Sequence, residues 1–526
     1  MYENGAAPRF FAAYGDNRFV NLFRTAVSVS GAVSDATPLT PGHRYDVMEE
    51  AYGLLWDISV ARDGSTLYFA SRPAGSNQGD ELPKSIYSVG LSGADRPKPV
   101  IADEKQSAYS PRISPDGERL AYLKADGTHY TSPRITVWVL DLVSGSNRQL
   151  IGAPDQQLTD LRWSPDGELL YVKALARGSR RIFTLPSRTS GGAGPIPISR
   201  SISDYSISSN KIAYISSTLS SSPEITVASL DALGRPLTRS SFSKAGSDRF
   251  ELGEAIEFNF SGWNNEPVHG FLLKPSSFVD GQKYPVVLSL HGGPNGAFTD
   301  AWSDDADAAQ LLAARGYAVV MINPHGSSGY GTTFGQSVLG HWGDRPLEDL
   351  QRGWSHLSSR YPFLDTDRAC VMGGSYGGYL TLLIAGVWNK PWKCLVARAG
   401  IFDIRSFYYS NDITAYNKLS FASAPWLDDS YEVQNPVSHV SKWRIPLFVY
   451  GGGEDYRVPI EQTIASYAAA RLMKVPAQLL YFTDERHNIA KPRNVLRLAD
   501  ETGTWLARWL QAKPVKGTGA ARKTPR

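Results

Sequence analysis

Residues 46–250 repeat one local pattern about every fifty residues, and this limits the possible folds more than any other feature of the chain. WDISVARDGSTLYFAS (56–71), SPRISPDGERLAYLK (110–124) and LRWSPDGELLYVKA (161–174) each read as a short apolar strand, an Asp-Gly turn and a second β-rich strand. Asp-Gly between alternating strands signals a hairpin, because the turn needs positive φ and glycine adopts it without steric cost. The pairs fall at 63–64, 116–117 and 166–167. A degenerate copy, DYSISSNKIAYISS, occupies 204–217, and strands such as SIYSVGLSG (85–93) and TVWVLDLVSG (136–145) follow the hairpins. About four strands per unit at this period predict propeller blades. A β-sandwich with similar turns is the plainer alternative. Four blades are expected between 46 and 250, with FVNLFRTAVSVSG (19–31) supplying part of a fifth.

From about residue 255 the pattern changes. Runs that are apolar throughout, PVVLSL (285–290), YAVVMI (317–322), ACVM (369–372), KCLVARAG (393–400), IPLFVYGG (445–452) and AQLLYF (477–482), alternate with helical stretches such as EDLQRGWSHLSSRY (348–361) and IEQTIASYAAARLMK (460–474). Continuous apolar strands separated by helices predict a buried, mostly parallel, doubly wound sheet. Ligands in such sheets bind at the carboxyl ends of the strands. The expected organisation is a multi-domain chain: an all-β propeller of about four to five blades over 1–250, an α/β domain over 251–513 and a disordered basic tail over 514–526.

Several function classes are excluded by composition. The net charge of +3 arises in the tail from Lys513 onward, which holds five basic residues and no acid; the remainder carries 49 basic against 51 acidic residues. No basic face argues for nucleic acid. No run of 18 apolar residues predicts a membrane span. The first residues, MYENGAAPRFFAAYGDNR, lack the pattern of a signal peptide. A cytoplasmic location is therefore expected for the chain as it stands, and secretion if a longer N-terminus precedes it. Two cysteines, Cys370 and Cys394, are too few for a disulfide framework. Cys370 reads as a small buried hydrophobe.

The chemistry centres on ACVMGGSYGGYLTLLIAG, a strand, then G-x-S-x-G at Gly373–Gly377, then a helix. This is the context of a nucleophile elbow, in which the glycines permit a sharp turn and present Ser375 at a helix N-terminus. The bland reading is a Gly-rich βα turn with an incidental serine. Serine needs a base, and the base needs an orienting acid. After an elbow these follow in the order acid, then histidine. Only His439 and His487 lie beyond Ser375, and IPLFVYGGGED ends a strand at Glu454-Asp455, which leaves His487. Local chemistry leaves both Glu454 and Asp455 open as the acid. Donors for an oxyanion are the backbone N–H of Tyr376 and a glycine amide of LSLHGGP (288–294), with Gly293 preferred. His291 in that segment reads as structural.

These segments together resemble the prolyl oligopeptidase family of serine peptidases. HGGP (291–294), NPHGSSGYG (323–331), GGSYGGY (373–379), GGEDYRVP (452–459) and DERH (484–487) match its motifs in order and spacing. The likeness is greatest to the acylaminoacyl peptidase and dipeptidyl peptidase V branch. It implies an α/β-hydrolase domain behind a propeller, with Ser375 as nucleophile, Asp455 as acid, His487 as base, and Gly293 and Tyr376 as oxyanion donors. It implies short peptides as substrates, and neither metal nor organic cofactor. Two departures stand out. Family propellers usually have seven or eight blades, and His325 replaces an Arg common in relatives. A propeller with fewer blades leaves sheet edges open, a route to pairing between copies.

A dipeptidyl peptidase must also hold a free α-ammonium. Asp80 and Glu81, in NQGDELPKS, are candidates, although a solvated acidic loop is the plainer reading. Tyr408 and Tyr409 are candidates for a substrate pocket, with core packing an equal alternative. A carboxylesterase would use the same triad. A non-catalytic binding protein with an incomplete propeller is the third reading, weakened by the presence of all three triad residues.

Overall fold

The computed structural model describes residues 21–41, 58–71, 83–126 except 94, 132–242 except 190, 193 and 234, 251–303, 309–413 and 423–510, with 9–10, 13–14, 417, 420 and 421 in addition. Its first part contains four antiparallel four-stranded sheets in chain order. The first runs from Ile58–Val60 to Lys98–Ile101, the second from Gln106–Ile113 to Asn147–Leu150, the third from Gln157–Trp163 to Gly194–Pro195, and the fourth from Ser201–Ile207 to Pro236–Arg239. Each strand pairs with the next, as in propeller blades. Of the segment 19–31, the described residues from 21 on add no strand to the first sheet: Phe23–Arg24 pairs with Thr37–Pro38, and Leu22 and Leu39 pack on that sheet.

The repeated turn has a definite chemistry. Gly117 and Gly167 take φ of +82° and +72°. Ser114 Oγ accepts from Arg119 N at 2.9 Å and Ser164 Oγ from Leu169 N at 2.8 Å, while each serine hydroxyl donates to the aspartate two residues on. Although desolvation opposes it, these hydrogen bonds and Arg119 bring Asp116 down to about 2. Two residues before each Ser-Pro-Asp-Gly stands an arginine that ties blades together. Arg112 donates to Leu161 O at 3.0 Å and Ile58 O at 3.1 Å; Arg162 donates to Asp160 at 2.8 Å and to Asp204 of the next blade at 2.9 Å.

The second part is one eight-stranded sheet. Its strands are β1 (Ala255–Ser261), β2 (Pro267–Leu273), β3 (Tyr284–Leu290), β4 (Ala318–Asn323), β5 (Leu364–Gly374), β6 (Cys394–Arg398), β7 (Leu447–Gly452) and β8 (Ala477–Phe482), in the order β1-β2-β4-β3-β5-β6-β7-β8. Only the pairings of β2 are antiparallel. The strands alternate between two cores. Val286, Leu288, Val320 and Val371 face one; Val287, Val319, Met321 and Met372 face the other. Helices α1 (Ala309–Ala314), α2 (Asp344–Arg360), α3 (Tyr376–Val387), α4 (Ile404–Ser410), α5 (Ile460–Leu472) and α6 (Pro492–Leu510) cover the faces. α3 is buried from Tyr376 to Gly386. Cys370 and Cys394 are register partners on β5 and β6, fully buried, with their sulfurs bonded. Cys370 is buried in the apolar core as expected, but its pairing with Cys394 was not expected, because spacing in sequence does not reveal neighbours across a parallel sheet. Among the described residues no helix is long and apolar enough to cross a membrane.

Candidate active site

Ser375 joins β5 to α3 with φ 59° and ψ −118°, a backbone conformation that non-glycine residues avoid. It is held there by Ser375 N–H donating to Arg398 O at 2.8 Å and by Tyr379 N–H donating to Ser375 O at 2.9 Å. Space around the turn is minimal. A Cβ on Gly377 would overlap Leu290 O and lie 2.9 Å from His291 O, so only glycine lets the helix start against the end of β3.

Asp455 follows β7 and is 2% exposed. Its Oδ1 accepts from the backbone N–H of Arg457 at 3.0 Å and Val458 at 2.9 Å, which leaves Oδ2 for His487 Nδ1 at 2.8 Å. Glu454, the other acid open to sequence reasoning, is exposed to solvent. His487 lies on the loop between β8 and α6. Glu485, 3% exposed, braces that loop by accepting from Ala490 N, Lys491 N and Asn494 Nδ2.

Ser375, Tyr376, Gly293 and His487 line one cavity of about 410 Å³. No hydrogen bond joins Ser375 Oγ to His487 among the described residues, a spacing common in unliganded sites. One wall is apolar, with Trp342, Ile401, Phe407, Ile413 and Val458; another carries Arg398, Arg457 and Asn488. Gln157, from the third blade, also lines it, so the cavity lies between the two parts. Arg457 is fixed by Asp412, with Nε 2.6 Å from Oδ1, and that carboxylate is fully buried. No carboxylate is among the described lining residues.

His291 and Gly293 sit on the turn after β3. His291 Nδ1 contacts Gly292 O and Nε2 contacts Ser327 Oγ, both at 2.8 Å. Burial brings this imidazole down to about 4, so it is neutral at pH 7 and holds the turn that carries Gly293. His325 is away from the cavity. It stacks on Phe334, contacts Asp349 through Nδ1 at 2.7 Å and Glu266 through Nε2 at 3.3 Å, and is 1% exposed. Burial opposes its charge, but the two carboxylates prevail and raise its pKa.

Tyr408 and Tyr409 do not line the cavity. Tyr408 is buried against Phe421 and Trp426, and Tyr409 is exposed and stacked on Trp426. At about 100° per residue, α4 turns Phe407 to the site and its successors away. The reading of both tyrosines as pocket residues is corrected to Phe407. Glu81, with Asp80, lies outside the described residues. Sequence reasoning also missed Arg398, Arg457 with Asp412, and Glu485. Of these, Arg457 and Glu485 lay inside the motif segments GGEDYRVP and DERH, and Arg398 inside the strand KCLVARAG, whereas Asp412 carried no signal. No group of three His, Cys, Asp or Glu side chains suited to a metal occurs among the described residues.

Comparison with known proteins bears on the family and the fold. Residues 302–513 match the model of the prolyl oligopeptidase family. Dipeptidyl-peptidase 5 of Schizosaccharomyces pombe is 26% identical over 462 residues, covering 87% of this chain and 66% of that protein. Dipeptidyl-peptidase 5 of Trichophyton schoenleinii is 28% identical over 487 residues, covering 87% and 65%. The chain thus spans just under two thirds of the length of these relatives. Among solved structures, the acylaminoacyl peptidase of Pyrococcus horikoshii superposes with a TM-score of 0.74 at 20% identity, over 87% of this chain and 71% of that one. A puromycin hydrolase superposes with a TM-score of 0.71 at 18% identity, over 95% and 84%. The shared fold is a propeller followed by an α/β-hydrolase. Through residues 302–513, the domain built around Ser375, this chain is similar to the prolyl oligopeptidase family.

Proposed function

We propose that the chain is a serine peptidase acting on short peptides, of the dipeptidyl or acylaminoacyl type. The observation that carries this reading is the strained Ser375 in one cavity with a histidine whose other ring nitrogen is anchored to a buried, twice-capped aspartate. In the proposed reaction His487 takes the proton of Ser375 Oγ as that oxygen attacks the scissile carbonyl. Asp455 holds the imidazole in the required tautomer and stabilises the imidazolium. The N–H groups of Gly293 and Tyr376 hold the oxyanion. His487 then protonates the leaving amine, and water, activated by the same histidine, releases the acyl group from Ser375. The apolar wall of Ile401, Phe407, Ile413 and Val458 suits an apolar residue on the acyl side of the bond.

A fluorophosphonate probe tests this directly. The folded chain is expected to label at Ser375 and to hydrolyse peptide anilides. Ser375→Ala is expected to lower that rate by about four to six powers of ten while the protein stays folded. Absence of labelling in a folded, monodisperse sample would remove the peptidase reading.

A further inference from the structure

A second cavity, about 390 Å³, adjoins the first and shares only Gly292 and Arg398 with it. Its walls come from the end of β3, from Gly373 and Gly374 before the nucleophile, from residues 297–299 and 301–303, and from Arg180 of the third blade. Its size is that of a small-ligand pocket. Two guanidinium groups thus face one space from opposite parts of the molecule, and no described lining residue is acidic. Arg180 has no hydrogen bond or ion pair from its guanidinium among the described residues. Water reaches it, yet the surrounding protein lowers its pKa by desolvation. Asp300, between the lining residues Thr299 and Ala301, does not itself line the cavity and is engaged as acceptor for Leu219 N at 2.8 Å.

The placement relative to Ser375 gives the cavity a direction. The apolar wall and Tyr376, which follows the nucleophile, belong to the first cavity; Gly373 and Gly374, which precede it, belong to the second. Arg398 lies over Gly374 and donates from Nη1 to Asn488 at 2.9 Å, the residue beside His487. His487 is the group that would deliver a proton to the departing amine, so Arg398 marks the leaving-group side.

Resting on the peptidase reading, we propose that Arg180 and Arg398 form a carboxylate-binding subsite for the leaving fragment of the substrate. Planar guanidinium groups bind carboxylates through paired, charge-assisted hydrogen bonds. A leaving fragment of one or two residues would bring its free C-terminal carboxylate into this cavity, and an acidic side chain on a longer fragment would offer the same chemistry. The subsite therefore selects short peptides that end just beyond the scissile bond, or peptides acidic at that point.

Binding to the Ser375→Ala protein tests the subsite without turnover. The ligands are Gly-Phe-Ala as free acid, its C-terminal amide, and Gly-Phe-Asp amide, measured by calorimetry. The free acid is expected to bind at least about tenfold more tightly than the amide. Adding Arg180→Gln should abolish the difference, and Arg180→Lys should retain most of it. If the Asp amide matches the free acid, the subsite reads any carboxylate; if it binds like the plain amide, the subsite reads the chain terminus. Equal affinity for acid and amide, no binding of either, or a preference that survives Arg180→Gln overturns the proposal. Fluorophosphonate labelling of the unsubstituted chain reports on the serine chemistry independently.

Discussion

Leu120 in the second blade and Leu288 in β3 are both fully buried, yet they belong to cores of different kinds. Leu120 and Tyr122 pack with Ala70 and Ile86 of the preceding blade, while Ala121 and Leu123, on the other face of the same strand, pack with Leu158 and Leu170 of the following one. Each blade thus shares one small cluster with each neighbour, and stability in such an array is close to a sum of nearest-neighbour terms. Leu288 instead joins a core that extends continuously from Phe258 on β1 to Val475 before β8. A fault in the blades is felt by adjacent blades. A fault in the sheet is felt by the whole hydrolase domain and by the site on its edge.

Two glycine substitutions break or sharpen this contrast. Gly377→Ala drives a methyl into Leu290 O and to 2.8 Å from Leu290 C, both backbone atoms that cannot swing aside. The expected loss is more than about 4 kcal/mol, read as a large fall in the denaturant midpoint together with loss of probe labelling. Gly117→Ala meets open space and only the strain of φ +82°, so about 1 kcal/mol is expected, with labelling intact. Comparable losses at the two positions would contradict the division into local and continuous cores.

Acid is expected to weaken the hydrolase side through His291. Its folded value of about 4 lies below the ordinary histidine value of 6.5. The unfolded chain therefore binds the extra proton first, and stability present above pH 6.5 is lost as pH falls towards about 4. The full shift corresponds to about 3 kcal/mol, reduced to the extent that water reaches the ring. His291→Gln should flatten that part of a stability-against-pH curve. An unchanged slope would mean that this imidazole is not held neutral by burial.

The smaller test falls on the blades. Arg162→Met removes one of the links between the third and fourth blades and leaves the Asp160 carboxylate, 1% exposed, with Lys173 at 3.5 Å as its remaining cation among the described residues. Breaking a largely buried pair is expected to cost about 2 kcal/mol here, since Arg162 is partly solvated. Proteolysis should then increase around 201–242 while hydrolysis of a small ester persists. A loss of ester hydrolysis in parallel with stability would show that the two parts fold as one unit.

How far each region could be read from sequence follows the same division. The blade turns were legible because their signal is local: Ser, Asp and Gly at fixed offsets close their hydrogen bonds within the turn and the start of the strand after it. The links between blades were not, because Arg112 and Arg162 find partners about fifty and forty residues away. In the hydrolase the elbow was legible from its glycines, and the order of Asp455 and His487 along the chain narrowed the partners. The apolar wall of the cavity was not: on α4 the choice of Phe407 over Tyr408 and Tyr409 depends on helix phase, which apolar residues in a row do not encode. The pairing of Cys370 with Cys394 likewise depends on parallel register between β5 and β6.

The contact between Gly374 and Arg398 has a consequence for the history of such a site. A methyl group on residue 374 would lie 2.7 Å from the guanidinium carbon of Arg398 and overlap its nitrogens. The two positions are therefore coupled: a side chain at 374 requires the flexible guanidinium of Arg398 to swing aside from its place over the turn. Across related sequences the pair should change together, with glycine wherever the arginine is kept.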